Sequence, residues 1–139
     1  MNTGFNTRSL HAGTEPDSST GARAPPIYQT SSYVFEDADT AADLYALREE
    51  GDVYSRVSNP TVRQLEARLA DLEGGVGAVA TASGMGAFDA LTTVLAQSGD
   101  NIVASSDMYG GTGSYLSTLA PRRGIEARTV PTLEYDAYA

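Results

Sequence analysis

The chain has 139 residues, no cysteine and a formal net charge of −9, with 18 acidic residues against nine basic ones, all of them arginine. This acidic balance argues against nucleic-acid and anionic-membrane partners, and the lack of cysteine excludes disulfides and thiolate chemistry. The length fits one domain, and neither a membrane-spanning run nor a secretory signal is visible, so a cytoplasmic protein is expected. The lysine-free composition fits both salt adaptation and a genomic bias toward arginine.

Residues 1–35 show little hydrophobic periodicity and are predicted to form an extended arm that packs on this domain or on a second subunit. Ala24-Pro25-Pro26-Ile27 is predicted to be extended, because proline disfavours helical backbone at the residue before it. His11, the single histidine, has no nucleophile or metal-ligand partner nearby in the sequence. A structural role is therefore favoured for it, and no metal site is predicted.

Two helices are predicted in the next part of the chain. The first covers residues 36–50, with Thr40 and Asp43 as a capping box and Gly51 as its end. The second begins at Asn59-Pro60, which supply an N-cap and a first-turn proline, and it ends at Gly74-Gly75. Its predicted buried stripe consists of Val62, Leu65, Leu69 and Leu72.

Tyr54 and Arg56 precede the second helix. They alternate with Ser55, so both side chains point to one side if the segment is extended. A guanidinium can bind two phosphate oxygens and a phenol a third. A surface arginine beside a packed tyrosine explains the same residues, and both interpretations stay open at this point.

The chain is organised around residues 79–87. Ala78–Ala80 is predicted to be a buried strand, and a helical pattern of apolar residues begins at Met85 and continues at Phe88, Leu91, Val94 and Leu95. The small-residue turn between them leaves the first N–H groups of the helix without partners, at the positive end of the helix dipole. Ser83 can cap the helix or donate its hydroxyl, and Gly84 and Gly86 are both expected to let the backbone approach a ligand closely, so the turn favours a phosphate. A strand-to-helix turn that Ser83 merely caps is the alternative.

The rest of the chain continues the alternation of strands and helices. Strands are predicted at residues 101–105 and 125–130, and a helix between them starts after Gly113 and is closed by Pro121 and Gly124. This order predicts a parallel sheet covered by helices, in which ligands bind beyond the carboxyl ends of the strands. The Ser83 turn and Tyr109 both fall at that edge. A phosphate that carries a planar group is favoured there, either pyridoxal phosphate or a nucleotide.

Five segments, in this order and at these separations, resemble the pyridoxal-phosphate enzymes of cysteine and methionine metabolism: Pro25-Pro-Ile-Tyr-Gln-Thr-Ser, Tyr54-Ser-Arg56, Ser58-Asn-Pro-Thr61, Ser83-Gly-Met-Gly-Ala and Tyr109-Gly-Gly-Thr112. The chain is most similar to the O-acetylhomoserine sulfhydrylases, followed by the methionine γ-lyases and then the cystathionine synthases and lyases. Gly111 stands where the methionine γ-lyases typically carry a cysteine, which counts against that branch.

The resemblance implies a fold and a domain organisation. The fold is the α/β fold of the pyridoxal-phosphate-dependent transferases (aspartate aminotransferase-like, fold type I), with a parallel sheet covered by helices and preceded by an extended arm. Residues 1–58 would be an arm and short helix that contact another subunit. Residues 59–139 would begin the cofactor-binding α/β domain, in an enzyme that is a homodimer or homotetramer.

The resemblance also implies residue roles. Gly84 and Met85, together with Ser83, would bind the phosphate of pyridoxal 5'-phosphate. Tyr54 and Arg56 would reach the same phosphate from a neighbouring subunit. Tyr109 would stack on the pyridine ring and assist departure of the γ-substituent. The implied reaction replaces the acetate of O-acetylhomoserine by sulfide and yields homocysteine.

The sequence departs from the family in one respect. The family's cofactor-binding lysine, its aspartate at the pyridine nitrogen and its arginine for the substrate carboxylate lie further along a longer chain, and this sequence contains no lysine. The chain is therefore expected to be an N-terminal fragment that is inactive alone. A catalytically silent fragment and a nucleotide-binding α/β module stay open as other classes.

Overall fold

The computed structural model describes residues 4–139. They form two compact units, one that ends at Ala80 and a second that spans Thr81–Ala139. No helix within residues 4–139 is both long and apolar enough to cross a membrane. The division predicted from the sequence, after residue 58, separates a subunit-contacting arm from a cofactor domain, and it stays a prediction.

The first unit contains three helices, α1 (Phe5–His11), α2 (Ala38–Tyr45) and α3 (Pro60–Glu73). Helix α1 lies inside the arm that was predicted to be extended, so the prediction is wrong there. Its N-cap is Gly4, which has no side chain to cap the helix, and the helix has no buried residue. Contact with α3 stabilises it instead, including an ion pair of 2.7 Å between Arg8 Nε and Asp71 Oδ2. Residues 1–3 of the predicted arm lie outside the described residues.

Helix α2 is shorter than predicted, and its cap is a different residue. Asp37, one turn before the expected Thr40, accepts the Thr40 N–H at 2.7 Å. This hydrogen bond holds the pKa of the Asp37 carboxyl below its ordinary value. The helix ends at Tyr45 and not near Gly51, because Leu47 adopts a left-handed backbone with φ 55°. That conformation cannot continue a right-handed helix.

Helix α3 confirms its predicted ends but not its predicted burial. Asn59 caps it, Pro60 occupies its first turn, and Gly74 follows it in the left-handed region with φ 70°. Three residues of the predicted buried stripe are exposed, with exposed fractions of 41 % for Val62, 51 % for Leu65 and 45 % for Leu69. Helical periodicity shows which face is apolar, whereas burial requires a neighbour that covers that face. Among the described elements of this unit, α1 is the helix that packs against α3.

The predicted strand at Ala78–Ala80 is not formed. These residues have no strand assignment and are exposed. A strand needs the hydrogen bonds of a neighbouring strand. In the described part of the first unit, the Ala80 N–H donates instead to the Glu66 carboxylate, at 2.7 Å.

The second unit contains the predicted parallel strands. Helix α4 (Gly84–Leu95) precedes β1 (Asn101–Ser105), and β2 (Glu126–Val130) pairs with β1 in parallel, with Asn101 opposite Glu126 and Ser105 opposite Val130. This pairing confirms the α/β architecture expected from the sequence. A 3₁₀ turn, Tyr135–Tyr138, follows β2.

The segment between the two strands is helical from Gly110 to Arg122. It consists of α5 (Gly110–Ser114), a π-helical segment (Tyr115–Leu119) and α6 (Ala120–Arg122). It starts earlier than predicted, since the Gly113 N–H already donates to the Tyr109 carbonyl at 3.1 Å. Gly124 has φ 75° and follows the helix, as expected for a glycine that ends it. Pro121 does not close the helix as predicted, because it lies in the first turn of α6, where proline is tolerated.

The core of the second unit lies between these helices and the sheet. Its buried side chains are Tyr115, Leu116, Ala120 and Ile125. Met85 and Phe88, the first two positions of the apolar pattern predicted for α4, pack against this cluster, and the Phe88 and Tyr115 rings meet edge to face at 5.2 Å. The later positions of that pattern are exposed: Leu91, Val94 and Leu95. The large apolar side chains with which α4 packs on this cluster therefore lie in its first two turns, and the buried residue of its third turn is the polar Thr92, whose hydroxyl lies 2.7 Å from the Tyr115 hydroxyl.

Candidate functional site

The N-terminus of α4 has the geometry that the sequence predicted. Ser83 is extended, and its Oγ accepts the Gly86 N–H at 3.0 Å, which confirms it as the N-cap. The Ser83 carbonyl accepts the next N–H, from Ala87, at 3.0 Å. Among the described residues of this unit, no acceptor pairs with the N–H groups of Gly84 and Met85. These two donors are thus available to an anion at the positive end of a helix of 12 residues.

The two glycines of this turn have different roles. A Cβ at Gly84 would meet no atom within 4 Å, so the backbone there is open on that side. A Cβ at Gly86 would lie 3.3 Å from Ser83 Oγ, inside the turn itself. Gly84 therefore leaves room for a ligand, and Gly86 leaves room for the serine cap.

Tyr109 lies between the carboxyl end of β1 and the start of α5, and 75 % of its surface is exposed. The Thr112 hydroxyl, one turn later, lies 3.8 Å from Met85 Sδ, so the starts of α5 and α4 are neighbours. A Cβ at Gly111 would collide with Cε1 of the Tyr109 ring, which lies against that glycine. The structure thus brings Tyr109 and the Ser83 turn to the same end of the second unit.

A hydrogen-bonded cluster that the sequence did not reveal holds the loop before Tyr109. Thr132 Oγ1 lies 2.5 Å from Ser105 Oγ and donates to Asp107 Oδ2 at 2.7 Å. The Asp107 N–H donates to Ser105 Oγ at 3.1 Å. Thr132 follows β2, far along the chain from its partners, and no local pattern connects them. The register of the parallel sheet is the signal that could have predicted this cluster. It places Ser105, at the end of β1, opposite Val130, at the end of β2, so Thr132 follows close by.

Tyr54 and Arg56 lie together in the first unit, but not for the predicted reason. The N–H groups of Val57 and Ser58 donate to the Tyr54 carbonyl at 2.8 and 3.0 Å, so the segment is a turn and not an extended strand. The turn places the Arg56 guanidinium over the Tyr54 ring, with Cζ 5.5 Å from the ring centroid. None of the ion pairs between described residues involves Arg56. Its charge is thus available to an anionic ligand.

The chain therefore carries two sets of candidate ligand-binding residues, one in each unit. The first unit offers a guanidinium and a phenol, and the second offers two backbone N–H groups beside an exposed aromatic ring. Each set by itself suits an anion with several oxygen acceptors, such as a phosphate group. The aromatic ring adds a surface on which a planar group can stack.

The sequence matches those of known enzymes. The family described as Cys/Met metabolism PLP-dependent enzyme matches residues 6–139. O-acetyl-L-homoserine sulfhydrylase 1 of Thermus thermophilus is 56 % identical over 125 residues, which cover 89 % of this chain and 30 % of that protein. Homocysteine synthase of Schizosaccharomyces pombe is 49 % identical over 126 residues, 91 % of this chain and 29 % of that protein.

Solved structures agree with this match. The crystal structure of a putative O-acetylhomoserine (thiol)-lyase from Campylobacter jejuni, which contains N'-pyridoxyl-lysine-5'-monophosphate, has a TM-score of 0.90 and 40 % identity and covers 99 % of this chain. The metB structure from Corynebacterium glutamicum has a TM-score of 0.86 and 36 % identity and covers 98 %. The chain spans 34 % of either structure, about a third of the length of these proteins. The predicted fold is thereby confirmed, and the chain belongs to the family of PLP-dependent enzymes of cysteine and methionine metabolism.

Proposed function

We propose that this chain holds the phosphate end of pyridoxal 5'-phosphate in an enzyme that makes homocysteine from O-acetylhomoserine and sulfide. The reaction is supported by the names of the Thermus and Schizosaccharomyces relatives, an O-acetyl-L-homoserine sulfhydrylase and a homocysteine synthase. The observation that carries the proposal is the N-terminus of α4, where the Ser83 cap leaves the Gly84 and Met85 N–H groups without protein acceptors among the described residues of their unit.

The donor set of the second unit fits a phosphate. Gly84 and Met85 supply two neighbouring N–H donors, and the helix dipole adds positive potential at the same point. The open side of Gly84 allows the ligand to approach the backbone closely. Because the whole chain carries a net charge of −9, such a local concentration of donors is needed to bind an anion at all.

The first unit supplies a positive charge for the proposed phosphate binding. Arg56 binds two phosphate oxygens and Tyr54 a third, and the contact between guanidinium and ring already restricts both side chains. In the proposed enzyme the two residues act on the site of a neighbouring copy of the same chain. The site would then be complete only in a dimer or a larger homo-oligomer.

Tyr109 is proposed to cover the cofactor ring and to assist departure of acetate from the substrate. In the net reaction the bond between the γ-carbon and the ester oxygen breaks, acetate leaves, and hydrosulfide forms the new carbon–sulfur bond. The cofactor, when bound, supplies electron withdrawal at the substrate's α-carbon. The lysine that attaches it covalently cannot come from these 139 residues, which contain none, so the 139 residues alone are proposed to be inactive.

The test is made on the full-length gene product that carries this chain. We expect it to bind pyridoxal phosphate and to form homocysteine from O-acetylhomoserine and sulfide. Arg56→Ala removes a charge-assisted contact of roughly 1.5–3 kcal/mol and should raise the dissociation constant for the cofactor by about one to two orders of magnitude. Arg122→Ala, at an exposed arginine that ends α6, is the matched control. A protein that binds nucleotide in preference to pyridoxal phosphate, or releases methanethiol from methionine and forms no homocysteine, contradicts the proposal.

A further inference from the structure

Asn59 makes more contacts than a helix cap requires. It is 8 % exposed, and among residues 4–80 it is the one residue that is buried. Its Oδ1 accepts the Thr61 N–H at 2.9 Å, which is the capping bond. Its Nδ2 lies 2.9 Å from the Tyr28 carbonyl, 2.9 Å from Ser55 Oγ and 3.1 Å from the Tyr33 hydroxyl. The cap uses the oxygen alone, so the amide nitrogen has a separate task.

The partners of Nδ2 come from two segments that both pass the start of α3. Tyr28 and Tyr33 belong to the arm, and Ser55 belongs to the turn that carries Tyr54 and Arg56. Ser55 also donates its N–H to the Ser31 carbonyl at 2.9 Å and its hydroxyl to the Thr30 carbonyl. The turn is therefore attached to the arm through Ser55, and the Asn59 amide binds both.

We propose that Asn59 is a positioning residue, which fixes Ser55 and thereby sets the direction in which Tyr54 and Arg56 face the cofactor phosphate. This inference rests on the phosphate-binding role proposed above for those two residues. Asn59 itself makes no contact with the phosphate. It acts because Ser55 lies between the two donors, so that a shift of Ser55 moves both.

The substitution Asn59→Asp separates positioning from capping. Aspartate caps a helix as well as asparagine does and has nearly the same shape. It lacks the two N–H donors, however, and places a carboxylate oxygen against the Tyr28 carbonyl, which cannot donate a hydrogen bond. The variant should keep the hydrogen bond that protects the Thr61 N–H from exchange, and it should lose the hydrogen bond that holds the Ser55 hydroxyl.

Two readouts on the full-length gene product test this. In Asn59→Asp, amide hydrogen exchange at Ser55 should become about tenfold faster, while exchange at Thr61 stays unchanged. The dissociation constant for pyridoxal phosphate should rise about 3–10-fold, as expected for the loss of about one net hydrogen bond. Ser55→Ala removes the same contact from the other side with a smaller change in volume. It should give the same loss of cofactor affinity if Asn59→Asp fails to fold.

Asp37→Ala is the matched control, because it removes a helix cap in the same unit but has no contact with the Tyr54 turn. It should leave Ser55 exchange and cofactor affinity unchanged. Unchanged Ser55 exchange in Asn59→Asp overturns the inference. Cofactor affinity that falls in Arg56→Ala but not in Asn59→Asp or Ser55→Ala also overturns it, with the proposed function intact. Affinity that falls in none of the three overturns the proposed phosphate-binding role itself.

Discussion

The two units of this chain are stabilised in different ways. The second buries a cluster of apolar side chains, in which Leu116 and Ile125 are each 2 % exposed. The first, within its described residues, buries one side chain, the polar Asn59, and leaves the apolar face of α3 exposed. Apolar burial is thus the main contribution to the stability of the second unit. Directional hydrogen bonds are the main contribution to the stability of the first unit.

This difference bears on the candidate ligand-binding residues. The N–H donors of α4 belong to a helix whose first turns pack on the core through Met85 and Phe88. The Tyr54–Arg56 turn depends on a few hydrogen bonds, each of which contributes roughly 0.5–1.5 kcal/mol net. We therefore expect the first unit to open locally before the second, and single polar substitutions to matter most there.

The largest effect is expected from the apolar core. Leu116→Ala should destabilise the second unit by roughly 2–5 kcal/mol, since it removes a buried side chain and leaves a cavity. Leu119→Ala, in the same π-helical segment but 44 % exposed, is the control and should cost clearly less. Urea unfolding followed by the protection of β1 and β2 amides measures both. Equal losses at the two leucines would mean that burial does not stabilise this unit.

A smaller effect is expected from a polar contact in the first unit. Arg68 donates from Nε to the Ala12 carbonyl at 3.1 Å and from a second nitrogen to the Thr14 hydroxyl. Arg68→Met keeps the stem of the side chain and should release residues 12–14 at a cost of roughly 1–2 kcal/mol in local opening, seen by amide exchange.

The same substitution at Arg48 is the control for this comparison. Arg48 pairs with Asp43, and its side chain is 64 % exposed, so the pair contributes roughly 0–1 kcal/mol. We expect Arg48→Met to increase amide exchange around residue 48 much less than Arg68→Met increases it at residues 12–14. An equal increase would contradict the explanation that partial burial makes the Arg68 contact stronger.

The smallest effect concerns a turn at Asp17. The Ser19 hydroxyl, followed by the hydroxyl and the N–H of Thr20, lowers the pKa of the Asp17 carboxyl from 3.8 to about 2. Because the folded pKa lies below the unfolded one, the turn is stabilised above pH 3.8 and loses this contribution as the pH falls toward 2. A carboxyl-carbon NMR titration should place the midpoint near the lower value. Ser19→Ala combined with Thr20→Val should raise the midpoint, and an unchanged midpoint would contradict the assigned cause.

Local patterns in the sequence predicted much of this structure. The caps at Asn59 and Ser83 and the stop at Gly74 were predictable, because each depends on residues within one turn. The parallel pairing of β1 and β2 followed from the alternation of strand and helix. The ordered motifs pointed to the family, and the matches with known enzymes confirm it.

Features that depend on distant contacts were not predicted. Helix α1 packs on α3, a contact that includes the ion pair between Arg8 and Asp71, and Ala78–Ala80 lacks a described neighbouring strand with which to pair. At the candidate site, the Asn59 amide joins residues about 30 positions apart, as the spacing of 31 to Tyr28 illustrates. Neither periodicity nor capping rules carry information about such pairs, since both describe neighbours along the chain.

In the proposed function the N-terminus of α4 binds the cofactor phosphate, and Gly84 allows a direct test of that role. Proline is well tolerated at the first position of a helix, as Pro60 shows in α3, and it lacks an N–H. Gly84→Pro therefore removes one proposed phosphate donor without removing the helix. Gly84→Ala adds a Cβ but keeps the donor.

The deciding measurement is the dissociation constant of the full-length gene product for pyridoxal phosphate in these two variants. We predict that Gly84→Pro binds the cofactor about one to two orders of magnitude more weakly than Gly84→Ala, because both variants add a Cβ on the open side of residue 84 and only Gly84→Pro loses the charge-assisted hydrogen bond of the N–H group. Circular dichroism should confirm that both variants keep their helices. Equal affinities in Gly84→Pro and Gly84→Ala would contradict the claim that this N–H group binds the phosphate.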